Sequence, residues 1–262
     1  MSSEPQRLLA AVAQSPKLVA AHDRAGWCGL FATDGQINDP VGSRPHQGRV
    51  AIENFYDTFI APNALSFSVE HDIVCGMSVM RDVSIMSVMA TGLRINVPMH
   101  LRYDLVEESG ALKIHRLYAH WELPAMLVQQ LNSVNGWLTS LQLTPRLLRH
   151  QGVVGLLGFM RGLGGRGRAG KRTAETFLTA LSRGDVTAAE ARLAAGCTLE
   201  VPFGIAVALP ELAAGLRGMS FRKLIAAGDF ASATVQIGPQ RGVAVFRFDQ
   251  DPGKVSALQI FI

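Results

Sequence analysis

The sequence predicts an α+β protein made of two copies of one unit, each a curved antiparallel sheet with helices packed on one face. Three observations lead there. First, Gln36-Ile37-Asn38-Asp39-Pro40-Val41-Gly42 is echoed by Thr198-Leu199-Glu200-Val201-Pro202-Phe203-Gly204, with the two prolines 162 residues apart, and self-similarity at a fixed offset marks a repeated structural unit. Second, each copy follows helix-like segments and precedes a further helix and a run of strands. Third, Gly76, Gly92 and Gly110 punctuate the apolar segments of the first half, leaving turns short enough to join antiparallel neighbours.

With 262 residues and 48% hydrophobic content, the chain can bury two cores. The apolar spacing of Leu8, Leu9 and Val12 opens a helix, Ser15-Pro16 is placed as N-cap and first residue of the next, and Leu18 to Phe31 continues the helical pattern. After Asp39 a polar loop runs to Gly48, and a helix follows with Ile52, Phe55 and Tyr56. Strands are expected over 66–74, 77–90, 93–105 and 111–121. The second half reads as helices over 171–183, 187–195 and 209–217, with strands over 230–237, 241–249 and 254–262. From signature to last strand it spans 61 residues against 82 in the first. A truncated second sheet with a closed or smaller cavity is therefore expected.

Between the copies, Pro124 starts a helix with a stripe at Leu127, Leu131, Val134, Leu138 and Leu141. Thr144-Pro145 caps another, whose interior carries glycines at 152, 155 and 158, and residues 161–172 read as a Gly/Arg linker. The expected organisation is thus a cavity-bearing unit at 1–122, a helical basic connector at 123–170 and a truncated second copy at 171–262.

Charge divides unevenly. Residues 1–121 carry 10 basic and 12 acidic side chains, 122–172 carry 7 and 1, and 173–262 carry 8 and 8. Neither body is basic, so no nucleic-acid partner is expected. The connector reads as a solvated linker, as a peripheral membrane contact through Val153 to Met160 beside Arg146, Arg149 and Arg161, or as a Gly/Arg segment for RNA that lacks stacking aromatics. Cys28, Cys75 and Cys197 are odd in number and widely spaced, which indicates reduced thiols and a cytoplasmic location rather than a disulfide framework. The polar start lacks a signal-peptide core, and no apolar run reaches the roughly 18 residues a membrane span requires. The seven histidines form no metal-ligand spacing, so no metal is expected. Gly165 to Lys171 superficially fits a phosphate loop, but Arg172 holds the Ser/Thr position and no strand precedes it.

The Asp39-Pro40 strand, the Pro45-His46-Gln47-Gly48-Arg49 loop, the Ile52-Glu53-Asn54-Phe55-Tyr56 helix and the Leu117-Tyr118-Ala119-His120-Trp121 strand together resemble the ketosteroid isomerases. These belong to the cone-shaped superfamily that includes nuclear transport factor two and the polyketide cyclases. The resemblance covers residues 15 to 122, and the second copy is a degenerate version. It implies two cone-shaped domains and a cofactor-independent isomerase or lyase acting on a steroid or other hydrophobic carbonyl compound. The alternative is a non-catalytic ligand-binding or scaffold protein of the same fold. The truncated second unit leaves surplus apolar surface for the first domain or a second copy of the chain, so a homo-oligomer is expected.

In that family the carboxylate at the Asp-Pro position is the general base, and Asp39 is its match. Read from the residues alone, Asp39 caps the turn before Pro40. Aligned this way, the family's tyrosine and second aspartate, which stabilise the oxyanion, fall at Ser15 and Met99, so both donors are replaced. Losing one such donor costs on the order of 100-fold to 1000-fold in rate. Steroid double-bond isomerisation is therefore expected to be slow or absent. Tyr56, Asp82 and His100 are the candidate replacements. Alternation places His100 opposite Met99 and Leu101, outside the cone, whereas Asp82, sharing a face with Met80, Ser84 and Met86, is assigned to the cavity face. The expected substrate-binding set is Tyr56, Asp82, Met99, Leu101 and the rim residue Trp121. Asp39 buried and open on a cavity above about 300 Å³ supports an enzyme or binder, whereas Asp39 engaged only with its own turn beside a filled cone supports a scaffold.

Overall fold

A computed structural model of the chain describes residues 3–131, 145, 149, 152–153, 155 and 157–262. Three helices, α1 (Glu4–Val12), α2 (Gln14–Ala20) and α3 (Arg24–Cys28), lead into β1 (Phe31–Asn38) and the two-residue β2 (His46–Gln47). Helix α4 (Arg49–Phe55) continues as a π-helical turn (Tyr56–Ile60) into a meander of β3 (Asn63–Cys75), β4 (Ser78–Met89), β5 (Arg94–Glu108) and β6 (Ala111–His120). Ser15 sits inside α2 rather than capping it. Its hydroxyl turns into the core, where it accepts from the Trp27 indole N–H at 3.0 Å.

The first sheet has the order β2-β1-β6-β5-β4-β3. The meander is antiparallel as expected, but β1 pairs with β6 in parallel, in register from Gln36 opposite Arg116 to Asn38 opposite Tyr118. The reason is connective. Helix α4 carries the chain across the sheet before β3 begins, and a crossover, unlike a hairpin, permits parallel neighbours. Leu8, Val12, Val19 and Trp27 from the helices share one core with Val79, Val83, Ile95, Val97 and Met99 from the strands. All helices of this unit therefore cover one face of the sheet.

The second half begins with the helix Gly167–Arg183, four residues earlier than its apolar pattern predicts. A short helix (Val186–Glu190) leads to β7 (Leu193–Glu200), and the helix Leu209–Gly215 leads to β8 (Ser220–Ala227), β9 (Phe230–Ile237), β10 (Gln240–Arg247) and β11 (Val255–Phe261). Strand β8 escapes sequence reading because Arg222-Lys223 interrupts its apolar pattern, where the register slips and Lys223 takes a φ of +53°. The order β7-β11-β10-β9-β8 repeats the first sheet without β2, including a parallel pair, β11 with β7, at the equivalent place. Matching backbone bonds follow: Val41 N–H to Ala119 O and Phe203 N–H to Ile260 O. The molecule is mixed α+β with two cone-like units, one sheet of six strands and one of five.

The second core is filled by its own side chains. Phe177, Leu181, Phe246, Leu258 and Ile260 are fully buried there, and Val201, where the first copy has Asp39, packs against them. Its sheet lies on the outer face of the first. Ile73, Cys75 and Met80 meet Val243, Val245 and Phe261 in a small apolar cluster between the sheets. Three backbones also converge at the seam: a Cβ on Gly42 would strike the Cα of Gly228, and one on Gly165 would strike the Gly228 carbonyl. All three residues have positive φ, so glycine is required both for conformation and for the close approach.

The connector is tied down at both ends. Helix α5 (Leu123–Leu131) buries Leu123 in the first core. Arg161–Leu163 forms a 3₁₀ turn, Arg166 pairs with Asp229, and Lys171 Nζ donates to Glu122 at 2.7 Å. Residues 167–172, expected to be linker, are instead the first turns of a helix. Val134, Leu138 and Leu141 of the expected stripe, the Thr144 cap and Arg146 lie outside the described residues. All three cysteines are unpaired. No helix among the described residues is long and apolar enough to cross a membrane.

Candidate functional site

The concave face of the first sheet and the helices over it enclose a cavity of about 200 Å³. Strand alternation builds its wall: Ile95, Val97, Met99, Leu101 and Tyr103 all point inward from β5. Ile85, Ser87 and Met89 from β4, Phe55 and Phe59, and Leu117 continue it. The mouth is narrowed by the connector, since Met126 and Gln130 of α5 and Phe159 also line it, and Phe159 lies over Phe59 with ring centroids 5.4 Å apart. The volume is below the mark of about 300 Å³, while Asp39 does line the cavity.

Asp39 lies just past the end of β1, in the wall of this cavity. The Trp121 indole N–H donates to its Oδ1 at 2.6 Å. That bond favours the carboxylate, but burial outweighs it and pushes the pKa up from 3.8 to about 6. The turn after it is satisfied without the Asp39 side chain. Ser43 Oγ donates to Pro40 O at 2.7 Å, and Asn38 Nδ2 donates to Ser43 O at 3.0 Å. The carboxylate is therefore directed at the cavity and does not cap its own turn.

Of the other residues that the sequence singles out, Met99, Leu101 and Trp121 line the cavity. Tyr56 does not. Its ring packs on Trp27 at 5.5 Å within the helical layer, 2% exposed, and its hydroxyl has no hydrogen-bond partner among the described residues. Asp82 is also misplaced, because it lies on the outer face of β4, against the second unit. It accepts from Lys223 Nζ at 2.6 Å, Thr234 Oγ1 at 2.8 Å and Arg241 Nη2 at 3.1 Å. His100 shares that face, with Nδ1 2.7 Å from Ser232 Oγ.

Sequence reading missed Tyr103. The phenol lines the cavity and is 2% exposed. Burial raises its pKa, while the Arg81 charge and a hydrogen bond with Ser15 work the other way, so it stays a neutral O–H at physiological pH. Arg81 is itself buried and held by Asp72 at 2.7 Å. The signal was available: Tyr103 is in phase with Met99 and Leu101, and a tyrosine on an otherwise apolar cavity row brings a polar tip into it.

Residues 12–113 match the sequence model of the SnoaL-like domain. This segment is a SnoaL-like domain. Solved structures similar to part of the chain include a Δ5-3-ketosteroid isomerase from Mycobacterium sp., 27% identical over 46% of this chain and 96% of that one, with a TM-score of 0.42. A Mycobacterium tuberculosis protein in complex with estradiol-17β-hemisuccinate is 28% identical over 45% and 95%, with a TM-score of 0.41. A computationally designed 17-OHP binder is 26% identical over 45% and 95%, with a TM-score of 0.42. The SnoaL-like domain holds Asp39, Tyr56, Asp82, Met99, Leu101 and Tyr103, and Trp121 follows just past the closing strand.

Proposed function

We propose that the first unit moves a proton within a compact, apolar carbonyl compound, with Asp39 as general base and Tyr103 as donor to the carbonyl oxygen. In this reading residues 1–122 are the catalytic unit, 123–170 cover its mouth and 171–262 are a packed, non-catalytic partner. The observation that carries it is the Asp39 carboxylate, raised to about 6 and held by one indole N–H in the wall of an apolar cavity. A base with its pKa near the working pH is half-way to both its tasks, taking a proton and returning it.

The step follows from the placement. Asp39 takes a proton from the carbon next to the carbonyl, and the electron pair moves onto the carbonyl oxygen, where the Tyr103 O–H donates to it. Return of the same proton to a different carbon completes an isomerisation. Loss of a leaving group from the β-carbon instead completes an elimination. Arg81 behind the phenol and the Ser15 hydroxyl beside it make Tyr103 a better donor as negative charge builds. The cavity of about 200 Å³ is smaller than the ~300–1,000 Å³ of pockets that hold drug-sized ligands, so a one- or two-ring substrate fits better than a four-ring steroid.

A second reading, a non-catalytic carrier of the same ligands, draws on Met99, an apolar residue where the family resemblance calls for an acid. Assaying 3-cyclohexenone and a β,γ-unsaturated 3-keto steroid for conversion to their conjugated isomers separates the two. The proton-shuttle reading expects the small ketone to convert faster, Asp39→Asn to abolish turnover in a folded protein, and Tyr103→Phe to lose ~100-fold or more. Turnover that survives Asp39→Asn sinks it. Binding without turnover in the unmodified protein favours the carrier.

A further inference from the structure

Among the described residues the connector presents two apolar faces, of which the fold covers one. Residues 152–153, 155 and 157–160 are helical. On the inner side Gly158 is buried, its carbonyl accepts from the Arg44 N–H at 3.0 Å, and Phe159 lines the cavity. On the outer side Val153, Leu157 and Met160 follow the i, i+4, i+7 spacing of a single stripe and are 63%, 63% and 46% exposed. Leu163, just beyond, is also exposed, as are Val128 and Leu131 of α5. A helix apolar on both sides is ordinarily buried, yet among the described residues nothing covers this stripe.

Charge indicates what the cover is. The exposed Arg149 and Arg161 stand on either side of the stripe in sequence, in a segment with seven basic residues and one acidic one. That acid, Glu122, is already occupied by Lys171 and the Ala226 N–H. The stripe is aliphatic and thioether and is bracketed in sequence by arginines rather than by residues of both signs. We propose that the connector seats the protein on an anionic lipid surface, with Val153, Leu157 and Met160 entering the headgroup layer and Arg149 and Arg161 on its phosphates and carboxylates.

The docking stands apart from the chemistry proposed above, but a consequence of it rests on that reading. Phe159 is on the back of the seated helix, so docking holds the cavity one helix diameter (~10 Å) from the lipid surface, which shortens the aqueous path of an apolar carbonyl compound leaving the bilayer.

The test is sedimentation of the full chain with vesicles of phosphatidylcholine and phosphatidylserine in equal amounts, beside vesicles of phosphatidylcholine alone. The expected result is binding to the anionic vesicles, at least tenfold weaker binding to the neutral ones, at least a tenfold loss on Leu157→Glu, and about a fivefold loss on Arg161→Gln. Circular dichroism and the thermal midpoint of each variant should match the parent, because both side chains are exposed. No sedimentation with anionic vesicles overturns the proposal, as does binding that survives Leu157→Glu. Concentration-dependent dimerisation removed by Leu157→Glu, without vesicle binding, also overturns it and makes a second copy the cover. Catalytic inactivity leaves every arm of this test readable.

Discussion

Asp82 of β4 and Lys223 of β8 meet at 2.6 Å across the seam between the two sheets, with their side chains 1% and 8% exposed. Around them Arg241, Glu70, Thr234 and His100 complete a polar core at the junction of the units. Lys223 also donates to Val83 O at 2.5 Å, so its ammonium binds both the side chain and the backbone of β4. A network this well satisfied specifies how the sheets stack, since any other register would strand charge in a dry environment.

Replacing Asp82 by Asn leaves the Lys223 and Arg241 charges with Glu70 as their remaining carboxylate partner. Breaking one partner of a buried pair typically costs about 3–5 kcal/mol. Urea unfolding of Asp82→Asn should show a loss toward that size, with ligand affinity in the cavity unchanged, because Asp82 faces away from it. Loss of binding in a variant as stable as the parent would return Asp82 to the site.

Asp39→Asn should stabilise the protein at pH 8. The folded-state pKa of about 6 lies above the ordinary value of 3.8, so the native state binds a proton more tightly than the unfolded one. Stability linked to this group is therefore fully present below about pH 4 and is lost as pH rises through about 6. The amide carries no charge to desolvate, and after allowing for solvent in the cavity the gain is about 1–2 kcal/mol at pH 8. It should vanish near pH 4. Thermal midpoints of both proteins across this range decide it, and an Asn variant less stable at pH 8 would show that the carboxylate is structural.

His120 gives the opposite slope. It is buried against Phe230, and burial, with the Arg102 charge adding to it, lowers its pKa from 6.5 to about 3. His100 is lowered too, by burial and then by the Lys223, His120 and Arg222 charges. A depressed histidine contributes stability above its unfolded value that is lost as pH falls toward its folded one. Acid should therefore loosen the seam between pH 6.5 and 3. His120→Phe should flatten that decline in denaturant titrations at pH 7 and pH 5. An unchanged decline would move the acid sensitivity elsewhere.

Tyr56→Phe should be neutral or stabilising by about 1 kcal/mol, because its hydroxyl is buried without a partner among the described residues. Ligand affinity should not change. A tenfold loss of affinity would show that the hydroxyl reaches the ligand after all.

The contrast between Asp82 and Tyr103 shows what one-dimensional reading could and could not reach. Alternation correctly grouped Met80, Asp82, Ser84 and Met86 on one face, but alternation does not say which face is inside. The register decides. Asp82 stands opposite His100, and Val83 opposite Met99, and directly opposed residues in an antiparallel pair share a face. Placing Met99 inward and His100 outward therefore forces Asp82 outward. The sequence reading of Asp82 as a cavity residue contradicted its own reading of His100, and only the pairing exposes this.

By itself the sequence determined the two α+β units, the meander, the Asp39 motif and the inward row of Met99 and Leu101, because these rest on local periodicity and on a repeat legible in the chain. Tertiary structure alone decided that β1 and β6 run parallel, that Trp121 holds Asp39, that Tyr103 and Ser15 line the same cavity with Arg81 behind the phenol, and that the connector lines it too. Each of these depends on contacts between residues distant in the chain, from Lys223 reaching Asp82 to Phe159 covering Phe59. Their partners are chosen by packing and by the cost of leaving a buried charge or hydrogen-bonding group unsatisfied, a cost that no single strand or helix carries in its own sequence.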